Sequence, residues 1–221
     1  MITNREPKAD AGATATIQRR YDRQAVRYDF TEAPAEWLVL GRGRRLLWEL
    51  IPAGSRVLEV GVGTGKNLRW HPANVTVTAV DFSPKMLARA VRRARETGAP
   101  TELALMDAQE LGFEDASFDI ATATCVFCSV PDPVAGLREI RRVLRPDGRL
   151  FLLEHVRSEL PVIGRGMDLM NPLTVRMSGT NINRDTVGNV ERAGFRILEV
   201  RNLMLDIVKL ITAEPAKSEA Q

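Results

Sequence analysis

Val57-Leu58-Glu59-Val60-Gly61-Val62-Gly63-Thr64-Gly65-Lys66-Asn67 decides how the rest of the chain reads. A short apolar run carries one acid and passes into three glycines at alternate positions. Apolar runs of this length read as buried parallel strands. Alternating glycines read as a tight turn where the backbone must come close to a ligand. Residues 66–70 can open a helix whose first amides would point at that ligand. The stretch predicts a strand, a glycine loop and a helix around a nucleotide-type ligand.

The same cadence continues downstream. A β-branched run over 75–81 ends in Asp81, and Ser83-Pro84 can cap a helix over 85–96. Residues 101–106 form a third run, ending in Asp107-Ala108. A fourth strand is expected over 117–126, a helix over 133–144 with a Pro–Gly stop at 145–148, and a fifth strand over 149–155. Strand alternating with helix means a parallel sheet with right-handed crossovers. Residues 156–183 lose the pattern and read as a long irregular insert of the functional kind. A helix over 184–193 and strands over 195–200 and 207–213 close the domain.

Upstream, residues 1–16 read as a loose leader. Ile17, Tyr21, Ala25 and Tyr28 share one helical face, flanked by Arg19, Arg20, Arg23 and Arg27. That is either an ordinary amphipathic surface helix or a lid that closes over a ligand and can lie on lipid. A second helix is expected over 35–50, carrying Trp37, Leu38, Leu47 and Trp48. A single domain over 17–213 with a polar tail over 214–221 is the expected organisation.

Composition narrows the function classes. Hydrophobic residues make up 44% and charged residues 27% of the 221, which is globular. The net charge of +3 is a mild excess. It suits an anionic membrane surface, and no aromatic-plus-basic module suggests nucleic acid. Cys125 and Cys128 are the two cysteines, so a disulfide framework is excluded and a reducing cytoplasm is the default. They imitate a metal pair, but the chain's two histidines, His71 and His155, add no zinc spacing, and no metal is expected. No apolar run approaches the roughly 20 residues of a spanning helix, so any membrane contact would be peripheral. A monomer is expected.

Spacing decides which ligand the glycine loop takes. A dinucleotide fingerprint starting at Gly61 would need its third glycine where Lys66 stands. A phosphate loop ending in Gly65-Lys66 would need its first glycine at Val60 and a hydroxyl at Asn67. Both fail. What remains is E-x-G-x-G-x-G, with Glu59 ahead of the loop. A carboxylate there would repel pyrophosphate and suits a cationic ligand bearing an ammonium and a sulfonium.

These residues make the chain resemble the class I S-adenosylmethionine-dependent methyltransferases, over roughly residues 21–213. The resemblance implies an α/β fold: a Rossmann-like, doubly wound seven-stranded sheet, mostly parallel with an antiparallel C-terminal strand, plus N-terminal lid helices. It implies S-adenosylmethionine as cofactor and S-adenosylhomocysteine as product. By similarity Glu59, Gly61, Gly63 and Gly65 cradle the methionine part, and Asp81 takes both ribose hydroxyls. Asp107 and Ala108 sit beside adenine, Phe82 and Met86 pack its face, and Cys125 brings backbone near the methionine end.

The acceptor is less legible. Cys125-Val126-Phe127-Cys128-Ser129-Val130 and Leu153-Glu154-His155-Val156-Arg157-Ser158 resemble a branch containing phosphatidylethanolamine N-methyltransferases and thiol methyltransferases. Tyr21-Asp22-Arg23 with Tyr28-Asp29 also resembles the quinone C-methyltransferases. All these acceptors are amphipathic small molecules or lipids, and the Met-rich insert agrees physically. A non-catalytic binding protein for the same cofactor is the reading from another class.

His155, at the carboxyl end of the fifth strand, is the candidate general base, or else a structural histidine. Tyr21 is the other catalytic candidate, and Tyr28 a cofactor contact; both could instead be packing. Asn181, Asn183 and Arg184 could meet a head group, unless Asn183 merely caps a helix.

Overall fold

The computed structural model describes residues 11–31, 36 and 40–217. Seven strands, β1 (Arg56–Val60), β2 (Thr76–Asp81), β3 (Thr101–Leu105), β4 (Phe118–Thr124), β5 (Leu144–His155), β6 (Phe195–Met204) and β7 (Val208–Pro215), form one sheet in the order β3-β2-β1-β4-β5-β7-β6. β1 to β5 pair in parallel, and β7 runs antiparallel to β5 and β6. This is the Rossmann-like sheet the resemblance implies. The order reverses between β1 and β4, and ligands of such sheets bind in the crevice at the carboxyl ends there.

Side chains alternate across the sheet. Leu58, Val60, Ala121, Leu150 and Leu152 pack with Leu137, Ile140 and Val190 on one face. Val57, Val77, Ala79, Phe151 and Leu153 pack with Leu47, Trp48 and Ala90 on the other. Burial on both faces is why the strands read as continuous apolar runs.

The helices are α1 (Ala11–Thr31), α2 (Gly41–Glu49), α3 (Pro84–Thr97), α4 (Pro133–Val143), α5 (Pro161–Ser178) and α6 (Thr186–Arg192). Ser83 caps α3 by accepting from the Met86 amide at 3.1 Å, with Pro84 in the first turn. Asp132 caps α4 through the Ala135 amide at 2.9 Å.

Several expectations need correction. Residues 66–70 do not open a helix; one 3-10 turn, Leu68–Trp70, forms, and His71 turns extended. The chain must reach β2 within a few residues, and the Asn67 side chain is turned inward to Glu59 and Thr124. Helix α1 already begins at Ala11, inside the expected leader. Ala11, Ala13 and Ala15 are strong helix formers, and the Thr16 hydroxyl donates to the Gly12 carbonyl.

The expected irregular insert is mostly α5. Pro161 opens it, Gly179 closes it at φ 82°, and Pro172 lies inside. Gly164 is needed there: a Cβ would stand 2.5 Å from the Ser158 carbonyl. Strand β7 runs past residue 213 to Pro215, because Glu214 bridges Arg149 and Arg196. Helix α2 starts at Gly41; of the earlier part of the helix expected over 35–50, positions 35 and 37–39, with Trp37 and Leu38, lie outside the described residues. So do residues 1–10 and 218–221.

Candidate active site

A cavity enclosing about 690 Å³ of non-atom space, partly open to solvent, lies at the switch point. Its walls hold Tyr21, Tyr28, Gly61, Gly63, Asp81, Phe82, Met86, Asp107, Ala108 and Cys125, all of them site residues expected from the sequence. Thr14, Val60, Thr124, Val126 and Ser129 line it as well.

The three loop glycines do three different jobs. A Cβ on Gly61 would fall 2.3 Å from Val126 Cγ2, so its bareness lets two loops meet. A Cβ on Gly65 would fall 2.7 Å from Leu68 Cδ1 and 3.1 Å from Ala90 Cα, so it serves packing against α3 and does not line the cavity. Gly63 alone of the three faces open space, and its amide donates to Asp81 Oδ2 at 2.8 Å.

Asp81 also accepts from the Ser83 amide through Oδ1 at 2.9 Å. Each oxygen keeps a further lone pair, enough to accept from a vicinal diol. Burial raises its pKa to about 6, against the pull of those two amides; Glu59 and Asp22 add to the rise. Asp107 accepts from the Gln109 amide at 2.9 Å and from the Gln109 side chain at 3.2 Å. Gln109 in turn donates to Thr14 at 3.1 Å and accepts from the Asp132 amide at 3.0 Å. It ties α1, Asp107 and the cap of α4 together, and no spacing in the sequence marked it.

Helix α1 is pinned over the cavity along its length. Gln18 donates to the Phe82 carbonyl at 2.6 Å, Asp22 accepts from the Ser83 hydroxyl at 2.6 Å, and Asp29 accepts from Thr64 at 2.6 Å and Arg93 at 2.8 Å. The Tyr21 hydroxyl meets the Ser129 hydroxyl at 2.5 Å. Burial holds the Tyr21 pKa well above the ordinary phenol value, so Tyr21 is a hydrogen-bonding group and not a base. Its ring stands edge-on to Phe82 at 5.7 Å and 6.3 Å from Tyr28. Asp22 and Asp29 were legible only as part of a family pattern; their work is to dock the lid.

The loop after β4 forms the opposite wall. Cys125 adopts φ 55°, and Cys125 and Cys128 stand in this turn and not within a strand. The loop is held from beneath by Glu154, whose Oε1 accepts from the amides of Val126 at 2.9 Å and Phe127 at 3.2 Å. Burial raises the Glu154 carboxyl to about 7 despite those bonds. An acid directly after the apolar run Leu150–Leu153, still within β5, was the signal that could have singled it out.

Besides Gly65, two expected site residues stand elsewhere. Glu59 does not line the cavity: its oxygens accept from Asn67 at 2.6 Å and meet His71 Nε2 at 2.9 Å. Asn67 also accepts from Arg44 at 2.8 Å. Glu59 therefore shapes the loop from behind, and the expectation that its charge faces the ligand is corrected. His155 does not line the cavity either. Its ring bonds to the Ile182 backbone, burial lowers its pKa, and Nδ1 has no partner among the described residues. Asn181 donates its amide to the Cys128 carbonyl at 2.9 Å, Asn183 bonds Asp168 at 3.0 Å, and Arg184 donates to the Val130 carbonyl at 3.0 Å. The cap of α6 is Asp185 and not Asn183.

The residues fit S-adenosylmethionine on their geometry: a glycine loop that meets open space at Gly63, a carboxylate whose two oxygens each keep a lone pair beyond their amide bonds, and apolar walls at Met86, Val60 and Val80. When bound, that cofactor supplies an electrophilic methyl on a sulfonium. The fold and this site define a class I S-adenosylmethionine-dependent methyltransferase, and the chain belongs to that family. The family model described as a methyltransferase domain matches residues 58–152.

A phosphatidylethanolamine N-methyltransferase of Cereibacter sphaeroides is 39% identical over 146 residues, covering 63% of this chain and 68% of that protein. A demethylmenaquinone methyltransferase of Clavibacter sepedonicus is 31% identical over 88% of both chains. A human thiol S-methyltransferase, TMT1A, is 30% identical, covering 69% of this chain and 65% of that one. Among solved structures, the [4+2]-cyclase SpnF shares the fold at TM-score 0.67 and 23% identity, over 80% of this chain and 81% of that one.

Proposed function

We propose that this methyltransferase acts on an amphipathic acceptor, the amine of phosphatidylethanolamine and of its mono- and dimethyl forms. The observation that carries this reading is the aromatic wall of Tyr21, Tyr28 and Phe82 inside the cavity. Aromatic faces attract ammonium groups, most strongly when desolvated. Similarity to the phosphatidylethanolamine enzyme supports it. The exposed face of α1, with Arg19, Arg23, Val26 and Phe30, gives an electrostatic route to an anionic surface.

An amine acceptor must lose its ammonium proton before it is methylated. His155, the base expected from the sequence, stands outside the cavity with its ring bonded to the Ile182 backbone, so it does not take that proton by direct contact. Tyr21 and Ser129 orient the acceptor by hydrogen bonding. Orientation can contribute on the order of 7–11 kcal/mol, more than a base supplies. No helix among the described residues is long and apolar enough to cross a membrane, so the membrane contact we propose is peripheral.

Vesicles of phosphatidylethanolamine with methyl-labelled cofactor test the reading; absence of label in all three amine forms sinks it. Demethylmenaquinone and alkyl thiols run in parallel address the second reading, a quinone C- or thiol S-methyltransferase, which the long match to the quinone enzyme favours. A thiol acceptor needs only its thiolate, so thiol transfer without transfer to any amine form would support it.

A further inference from the structure

Helix α5 is apolar on both sides. Met167 turns inward and is buried, while Val162, Leu169, Leu173 and Met177 turn to solvent at 84, 82, 50 and 71% exposure. Their spacing of seven, four and four, with Gly166 in the gap, makes one stripe along the helix. A water-facing stripe of this length marks an interaction surface.

Exposed Leu160 lies just before the helix, and exposed Leu205 joins it from the β6–β7 turn. Asp206 holds that turn in place by accepting from the Ser158 hydroxyl at 2.7 Å. Charge narrows the partner. Arg165 and Arg176 are exposed at the edge of the stripe. Asp168, the one acid of α5, is closed by Arg157 at 2.8 Å and Asn183 at 3.0 Å.

We propose that α5 is a membrane-contacting helix. Its stripe enters the headgroup–acyl boundary of a bilayer containing anionic lipid, with Arg165 and Arg176 at the level of the phosphates. The contact names the partner of the proposed lipid-acceptor site and rests on that reading for its purpose. Its placement fits the purpose. At the C-terminal end of α5, Arg20 of the lid donates to the Val175 carbonyl at 2.7 Å, and the following segment donates from Asn181 to the Cys128 carbonyl. The helix therefore runs from the lipid-facing stripe to the cavity wall.

The test is co-flotation of the full chain with vesicles of phosphatidylethanolamine and phosphatidylglycerol, with no methyl transfer required. Leu169→Glu with Leu173→Glu should weaken binding by roughly tenfold or more. Arg165→Glu with Arg176→Glu should weaken binding to phosphatidylglycerol vesicles and leave neutral vesicles nearly unchanged. Both pairs should keep the cofactor affinity of the parent by calorimetry, which shows that the fold survives.

Parent-like flotation of the leucine pair overturns the proposal. So does a parent that ignores vesicles, including one that sediments as a dimer the leucine pair splits, which assigns the stripe to self-association. Flotation through α5 without any transfer to phosphatidylethanolamine would remove the proposed acceptor and leave this contact standing. Transfer without α5-dependent flotation would do the reverse.

Discussion

The Gly63 amide and the Asp81 carboxylate meet at 2.8 Å. This bond joins the loop after β1 to the end of β2, so the loop geometry and the acid that lines the cavity are one unit. The loop glycine that faces open space is the one bonded to the acid.

Asp81→Ala should lower cofactor affinity by about 1.5–3 kcal/mol, the range for hydrogen bonds to a charged group. Isothermal calorimetry reads this directly, and unchanged affinity would remove the ribose assignment. Affinity should also depend on pH. Asp81 titrates near 6 in the free protein, and two hydroxyl donors need the carboxylate. Affinity should therefore rise with pH and level off above about 6, falling by up to about tenfold per unit below it. Asp81→Asn should flatten that slope.

Gly61→Ala places a methyl 2.3 Å from Val126 Cγ2 at φ 72°. A non-glycine residue held at positive φ costs roughly 1–3 kcal/mol before any clash. The variant should bind cofactor weakly and melt lower. Adding Val126→Ala should recover part of the loss, by removing the clash but not the backbone strain. Full recovery would show that sterics alone matter there.

Glu154 should make the protein less stable as pH rises. Its pKa is raised from the usual 4.5 to about 7. Between those values the folded chain binds more protons than the unfolded chain, so this group's contribution is complete below about 4.5 and declines up to about 7. Urea unfolding at pH 5 and pH 8 should show a smaller fall for Glu154→Gln than for the parent. Glu154→Ala should cost roughly 1–3 kcal/mol at either pH, because it strips the acceptor from the Val126 and Phe127 amides.

Tyr21→Phe removes the hydroxyl that meets Ser129 and keeps the ring beside Phe82. Cofactor affinity should hold within about threefold, while kcat on the amine acceptor should fall on the order of tenfold or more, as for lost orientation. Since Tyr21 stays protonated, the pH–rate profile should keep its shape. A profile that loses a limb would make Tyr21 a proton carrier.

The sequence alone determined the sheet and the methyl donor. Apolar runs buried on two faces identify parallel strands, and Ser83-Pro84 marks a helix start, because these signals are local in the chain. The register of Gly61 and Gly63 with Asp81 and Asp107 brings these four residues around one cavity, since each ends or follows a strand at the same edge.

Tertiary structure decided what local pattern does not encode. Glu59 pairs with Asn67 and His71, because burial forces a carboxylate to find donors wherever the fold supplies them. Residues 161–178 form a helix despite Pro172 and two glycines, with Gly164 fitted against the Ser158 carbonyl and Met167 buried. Glu154 and Gln109 act on backbone some two dozen residues away in the chain. Such contacts depend on the register between elements, which the sequence of any one element does not contain.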